Sequence, residues 1–169
     1  MTNNPESIVR NAASRGCGCL LLIAGIGVMN GIALPFYLTN TNRSKQSEAK
    51  QYVNSMNKAQ QADFAEKSVF SRSVNALELG IKTETTNYKY SVRATKQTAF
   101  NYGVSKQPQL KSYVGGVFVT RVKSNNAKDE ITTESILCSA DKPGTMPPLP
   151  PTLHKGKLVC ETGTTQVTK

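Results

Sequence analysis

The chain has 169 residues and a formal net charge of +10, with 21 Lys and Arg against 11 Asp and Glu. This length holds one soluble domain of ordinary size and excludes two. The positive charge favours acidic partners such as nucleic acid, anionic polysaccharide or a phospholipid surface. However, the basic residues are scattered without a block of five or more, and no recognisable motif supports direct nucleic-acid recognition.

The first element is an uncharged run over residues 16–42, whose apolar part is residues 17–38. As a helix that part would be about 33 Å long, enough to cross the roughly 30 Å hydrocarbon core of a bilayer. A cleaved secretory signal is the competing interpretation, but a signal core is usually shorter, and residues 39–42 supply no small-x-small cleavage site. A buried core helix fits less well, because the polar domain that follows offers little apolar surface. The run therefore predicts a retained transmembrane helix.

The flanks of this run predict its orientation. Arg10 and Arg15 precede the helix, so the positive-inside tendency leaves residues 1–15 as a leader-like segment in the cytoplasm. Arg43, Lys45 and Lys50 on the far side weaken that tendency, whereas two cysteines in the later domain favour an oxidising compartment for it. We expect a single-pass protein of the inner membrane, with residues 43–169 as a periplasmic or extracellular domain of net charge +9.

Three features inside the apolar run indicate contact with another helix. Gly27 and Gly31 have the GxxxG spacing that lets helices approach closely, and Asn30 carries an amide that needs a partner in lipid. Pro35 removes a backbone donor near the outer end. Ordinary glycine content of a membrane helix is the alternative explanation of the GxxxG spacing.

The exported part is predicted to begin with a helix. Ser44 is suited to cap it, and strong helix formers fill the following positions. Apolar residues recur there at helical spacing and define one moderately apolar face, made of Ala49, Tyr52, Val53, Met56, Ala59, Ala62 and Ala65. That face has to rest against another element.

Four strand-like stretches follow a loop at residues 69–80. They are rich in Tyr, Val, Phe, Ile and Thr, often alternate with polar residues, and are separated by short polar turns. They cover residues 87–94, 98–105, 115–123 and 132–138. One helix followed by several strands predicts an α+β fold, in which the helix covers one face of an antiparallel sheet.

The four cysteines separate into two pairs. Cys138 and Cys160 flank a proline-dense stretch at residues 142–151, and a disulfide between them is expected in an exported domain. Such a bond would stabilise the fold by about 3 kcal/mol in the chain-entropy description. Cys17 and Cys19 lie at the cytoplasmic mouth of the anchor, where they are either sites of lipid modification or simply small residues. A metal site made of all four is excluded by this topology.

No catalytic or cofactor-binding pattern stands out. The chain has no GxSxG, no HExxH and no glycine-rich phosphate loop. The single histidine, His154, has no nucleophile or acid at a telling spacing and no metal-ligand pattern around it. We therefore predict that the protein is not an enzyme and requires no cofactor.

Several segments resemble the type IV pilin-like proteins, and most closely the cyanobacterial pilin-like G and H subgroup. The resemblance is carried by IALPFYL at residues 32–38, SEAKQYVNSMNKAQQA at 47–62, LELGI at 77–81, TNYKY at 86–90, ILCSAD at 136–141 and LVCETG at 158–163. It implies a long N-terminal helix, with its first half in the membrane or filament core and its second half on a four-stranded antiparallel sheet. It also implies a C-terminal disulfide loop, here Cys138 to Cys160.

The region of the expected processing site departs from the pilin pattern. Pilins carry a glycine followed by Phe-Thr-Leu-Ile-Glu, whereas residues 15–23 here read RGCGCLLLI. Cleavage between Gly16 and Cys17 would place Leu21 at the glutamate position, and alignment on Pro35 would place Gly18 there. Neither register supplies the glutamate, which would pair with the amine of a neighbouring subunit. Either the protein stays uncut, or it enters a filament by another arrangement.

The resemblance implies a membrane-anchored structural subunit, either a minor pilin or a pseudopilin, of a pilus or a type II secretion-like assembly. Its partners would be other subunits, contacted through the N-terminal helix. The alternative is a pilin-fold binding module that never assembles and holds an anionic ligand such as DNA or polysaccharide.

Overall fold

The first described residues are already helical. In the computed structural model, which describes residues 41–122 and 130–167, helix α1 is observed over residues 41–67. The prediction that Ser44 caps this helix is wrong, because helical residues precede it. The predicted membrane helix, apart from residues 41 and 42, lies outside the described residues. The same holds for the residues assigned to it, Gly16, Cys17, Cys19, Gly27, Asn30, Gly31 and Pro35. Within the part that the structure describes, no helix is long and apolar enough to cross a membrane.

One face of α1 is buried, and it differs from the predicted face at its C-terminal end. Ala49, Val53 and Met56 are fully buried, as their spacing predicts. Ala62 and Ala65 are exposed instead. At 100° per residue these two alanines point away from Val53 and Met56. The prediction placed them on the buried face because they are apolar, and their angular position shows that this was wrong. The buried face is completed by two polar residues, Asn57 and Gln60.

The main sheet has five antiparallel strands in the order β1-β2-β3-β4-β7. Four of them correspond to the predicted stretches, with β3 and β4 longer than expected. Their bounds are β1 Tyr88–Ala94, β2 Thr98–Ser105, β3 Tyr113–Val122, β4 Glu130–Ala140 and β7 Thr164–Gln166. A separate hairpin is formed by β5 Thr152–His154 and β6 Lys157–Val159. A short 3-10 helix, Asn75–Leu77, lies in the connection between α1 and β1.

The implied four-stranded sheet is therefore corrected to five strands. The additional strand, β7, pairs only with the last three residues of β4, Cys138 to Ala140. A strand of three residues is too short to show a period-two pattern, so no periodic signal marks it in the sequence. It follows Gly163, which adopts a left-handed φ of 81° that favours glycine.

The sheet carries a different cover on each face. The helix face packs Tyr88, Tyr90, Tyr113 and Leu137 against α1. The opposite face carries a second cluster, formed by Tyr102, Val114, Phe118, Ile136 and Cys138 with the half-buried Leu158 and Cys160. Cys138 and Cys160 are joined by a disulfide, so the chain that covers the second face is closed into a loop, residues 138–160.

Candidate functional site

The contact between α1 and the sheet is centred on two buried amides. Asn57 donates through Nδ2 to the carbonyl oxygen of Ile136 at 3.0 Å. Asn101, on β2, donates through Nδ2 to Oδ1 of Asn57 at 2.8 Å. Both residues are 1% exposed or less. These hydrogen bonds give a partner to both polar atoms of Asn57 and to Nδ2 of Asn101, whereas Oδ1 of Asn101 has none in the described part of the chain. They fix α1 over the middle strands in one register.

The close approach of α1 depends on a glycine. Gly115 lies opposite Asn101 on β3, and a Cβ atom built there would be 2.1 Å from Oδ1 of Asn57. Any other residue at this position would therefore displace the asparagine or the helix. The absence of a side chain at position 115 makes room for the amide pair.

Two glutamines hold the C-terminal half of α1. Gln60 forms two hydrogen bonds with the backbone of Ser71. Its Nε2 donates to the carbonyl oxygen of Ser71 at 2.8 Å, and the backbone N–H of Ser71 donates to Oε1 of Gln60 at 2.9 Å. Gln61 donates through Nε2 to the carbonyl of Thr133 at 3.1 Å. Thr133 belongs to β4 beyond the reach of β7, so this contact occupies one backbone acceptor on an otherwise open edge.

The disulfide-closed loop forms a second surface. It buries Pro151, whose ring lies where a Cβ of Gly116 would be, against the second face of the sheet. The same loop leaves Met146 77% exposed and Leu149 57% exposed. Exposed apolar side chains close together on one loop are a common feature of contact surfaces.

A small cavity separates this loop from the first two strands. Its volume is about 210 Å³, and it is lined by Ser91, Arg93, Tyr102, Val104 and residues 147–150. The guanidinium of Arg93 lies 5.7 Å from the centre of the Tyr102 ring, close enough for a cation–π contact. Burial raises the pKa of the Tyr102 hydroxyl, against the opposing influence of Arg93.

Among the described residues, the fold brings together only Cys138 and Cys160 of the cysteines and the histidine considered in the sequence analysis. Cys138 and Cys160 are bonded, whereas His154 is exposed on β5 opposite Lys157. In the described ranges, no group of three or more His, Cys, Asp or Glu is arranged to hold a metal ion.

Sequence reasoning missed the polar residues that position α1. Asn57 and Gln60 occur in a polar stretch of a helix, where such residues are usually solvated. Their spacing from Val53 and Met56 was the available signal, because residues 53, 56, 57 and 60 fall on one helical face. The partner Asn101 is 44 positions from Asn57, and Ser71 lies in the irregular connection after α1, so no periodic pattern identified either residue.

A helix laid on an antiparallel sheet, with a disulfide-closed loop on the opposite face, defines a pilin-type α+β protein. The sequence profile of the family described as type IV pilin-like G and H matches residues 46–161, which include most of α1, strands β1 to β6 and both bonded cysteines. The chain belongs to this type IV pilin-like family.

The chain also resembles a known pilin over part of its length. The chain is similar to the type IV major pilin protein PilA of Myxococcus xanthus, with 38% identity over 76 residues. The match covers 44% of this chain and 34% of that protein, so the chain aligns with about a third of the length of its relative. No solved structure matches the chain.

Proposed function

We propose that the protein is a membrane-anchored structural subunit, a minor pilin or pseudopilin, of a pilus or a type II secretion-like assembly. The observation that carries the proposal is the family match over residues 46–161. This stretch contains the helix-on-sheet contact, in which Asn57 and Gln60 hydrogen-bond α1 to the rest of the domain. Rigid presentation of a helix is what a subunit needs when it assembles through that helix.

The proposed organisation keeps the boundaries predicted from the sequence. Residues 1–15 form a cytoplasmic segment, residues 16–42 cross the inner membrane, and residues 43–169 form the exported domain. The Cys138–Cys160 disulfide supports an oxidising compartment for that domain, because such bonds are rare in the cytosol. Assembly contacts are assigned to the helix face that carries Gly27, Asn30 and Gly31, with Pro35 at its outer end.

The test is co-purification with pilus or pseudopilus subunits after mild crosslinking in the native host. The pair of changes Gly27→Leu and Gly31→Leu blocks close helix approach and is expected to abolish the crosslinks. Gly25→Leu, in the same apolar run but outside the GxxxG pair, is the matched control and should retain them. Repeated absence of such partners for the unaltered protein, together with membrane retention, would contradict the assembly role and favour the non-assembling binding module.

The intact mass of the protein isolated from membranes tests the processing step. A mass lacking residues 1–16 would show cleavage at Gly16 despite the missing glutamate and would support filament entry. A full-length mass would support a permanently anchored accessory subunit. An added acyl mass would report lipid on Cys17 or Cys19, and measurement with and without reduction would report the Cys138–Cys160 disulfide.

A further inference from the structure

A basic pocket lies between the first described turns of α1 and the sheet. Its volume is about 450 Å³, and three cationic side chains line it, Arg43, Lys50 and Lys111. The rest of the lining is polar or aromatic apart from one valine: Gln46, Ser47, Tyr113, Ser139 and Val167. No carboxylate is part of the lining.

The three cations have no neutralising partner in the described part of the chain. The two ion pairs that form there join Lys67 to Asp63 and Lys106 to Glu84. The acid closest in sequence to Lys50 is Glu48, which is not among the residues that line the pocket. Burial raises the pKa of Tyr88 and Tyr90, and the nearby carboxylate of Glu48 adds to that rise. Among the described residues, the three cations of the pocket therefore form no ion pair.

The pocket is built, because its walls are fixed by hydrogen bonds that leave the cations available. The backbone amide of Lys111 donates to Oε1 of Gln46 at 3.3 Å. The hydroxyl of Tyr88 donates to the carbonyl of Lys111 at 3.0 Å. These contacts hold the loop before β3 against α1. Lys50 and Lys111 are half-buried and line the pocket, and long basic side chains in such positions pack their apolar stems while their charged ends stay in water.

We propose that this pocket binds a phosphate group. One arginine fork, two ammonium groups and the hydroxyls of Ser47 and Ser139 offer more donors than the two oxygens of a carboxylate accept, whereas phosphate oxygens accept from several donors at once. The volume of the pocket lies within the range of small-ligand sites. Three cations that form no ion pair among the described residues give it the charge complementary to an anion.

The source we infer is the headgroup of an anionic phospholipid. The pocket begins at Arg43, immediately after the apolar run that the sequence predicts to cross the membrane, and basic residues next to such a helix attract anionic headgroups. This choice of source rests on the proposed membrane anchor. The phosphate chemistry of the pocket does not, because Arg43, Lys50 and Lys111 line it whatever the anchor does.

The experiment uses the full chain in dodecyl maltoside micelles, which carry no phosphate. The NMR chemical shifts of the backbone amides of Ser47, Lys50 and Lys111 are followed during titration with one of three ligands. The ligands are dihexanoylphosphatidylglycerol, dihexanoylphosphatidylcholine and inorganic phosphate. The pocket variant combines Arg43→Gln, Lys50→Gln and Lys111→Gln. The matched control combines Lys82→Gln, Lys96→Gln and Lys142→Gln, which removes the same charge at exposed positions outside the pocket.

We expect inorganic phosphate and dihexanoylphosphatidylglycerol (the glycerol lipid) to shift the amide resonances of the pocket. Dihexanoylphosphatidylcholine should cause much smaller shifts. The pocket variant should weaken both by about tenfold or more, and the control variant by less than about twofold. Shifts with phosphate but not with the glycerol lipid keep the phosphate site and overturn the lipid source. Absence of shifts with both, or equal losses in the two variants, overturns the site. Membrane retention and subunit crosslinking are measured separately, so failure here leaves the structural role standing.

Discussion

The two faces of the sheet are covered by different physical means. On the helix face, α1 is held by close packing and by side-chain amides that donate to each other and to the backbone, at Asn57, Asn101 and Gln60. On the second face, a proline-dense loop is closed by the Cys138–Cys160 bond over an aromatic and aliphatic cluster. The difference teaches that the helix is fixed by directional contacts, whereas the loop is fixed largely by covalent connection.

The largest expected effect comes from removal of the covalent cover. Replacement of both Cys138 and Cys160 by Ala opens a loop whose ends are 22 residues apart. The free energy of unfolding should fall by about 3 kcal/mol, because the unfolded chain regains the freedom that the bond removed. The measurement is urea unfolding of the full chain in maltoside micelles, followed by tyrosine fluorescence.

Loss of the disulfide should also have a local effect that amide hydrogen exchange can detect. Amide exchange should accelerate in residues 142–160 but remain slow around Asn57 and Asn101, since the helix face does not depend on the bond. Treatment of the unaltered protein with a reductant is the matched control and should reproduce the same pattern. Equal acceleration on both faces would contradict the separation of the two covers.

The second prediction concerns the helix face. Gly115→Ala places a Cβ atom against the carboxamide of Asn57, at a position where 2.1 Å separates it from Oδ1. The free energy of unfolding should fall by about 2 kcal/mol, since an overpacked buried contact forces the side chain or the helix to move. The loss should be visible in urea unfolding and as accelerated exchange along α1.

Two further variants sharpen this test. Gly144→Ala is the control, because a Cβ there meets no atom within 4 Å and its backbone does not require glycine. In the double variant Asn57→Ala with Gly115→Ala, the clash disappears, so the combined loss should be smaller than the sum of the two single losses. Strict additivity would show that Asn57 is not the residue that excludes a side chain at position 115.

The sequence predicted the fold wherever a periodic pattern was long enough to read. Strands β1 to β4 and the buried residues Val53 and Met56 follow from alternation and helical spacing, and β2 was placed at its observed bounds. Strand β7 was missed because three residues make no pattern. The amide pair Asn57–Asn101 was missed because its members are 44 positions apart and both are usually surface residues. The basic pocket was missed for the same reason, since Lys111 joins Arg43 and Lys50 only in the folded chain.

The smallest predicted effect lies at the end of α1, where the helix meets the loop that Gln60 also holds. Asp63 accepts a hydrogen bond from Nζ of Lys67 and another from the hydroxyl of Ser71, both at 2.7 Å. Burial alone raises the pKa of the Asp63 carboxyl, but these two hydrogen bonds outweigh it and hold that pKa below its ordinary value of 3.8. The charged carboxylate therefore stabilises the folded state above the unfolded pKa.

The lowered pKa of Asp63 predicts how the stability of the Asp63→Asn variant compares with that of the unaltered protein as the pH changes. At pH 7 it should be less stable than the unaltered protein by at most about 1 kcal/mol, because Lys67 is 59% exposed and water screens its share. As the pH falls below 3.8 and through the lowered pKa, the unaltered protein loses its advantage and the two unfolding free energies converge. Glu66→Gln, at an exposed position near the same end of α1, is the control and should show no such convergence. A difference that stays constant down to pH 2 would show that the Asp63 charge does not tie α1 to the loop, leaving Gln60 as the side chain that does.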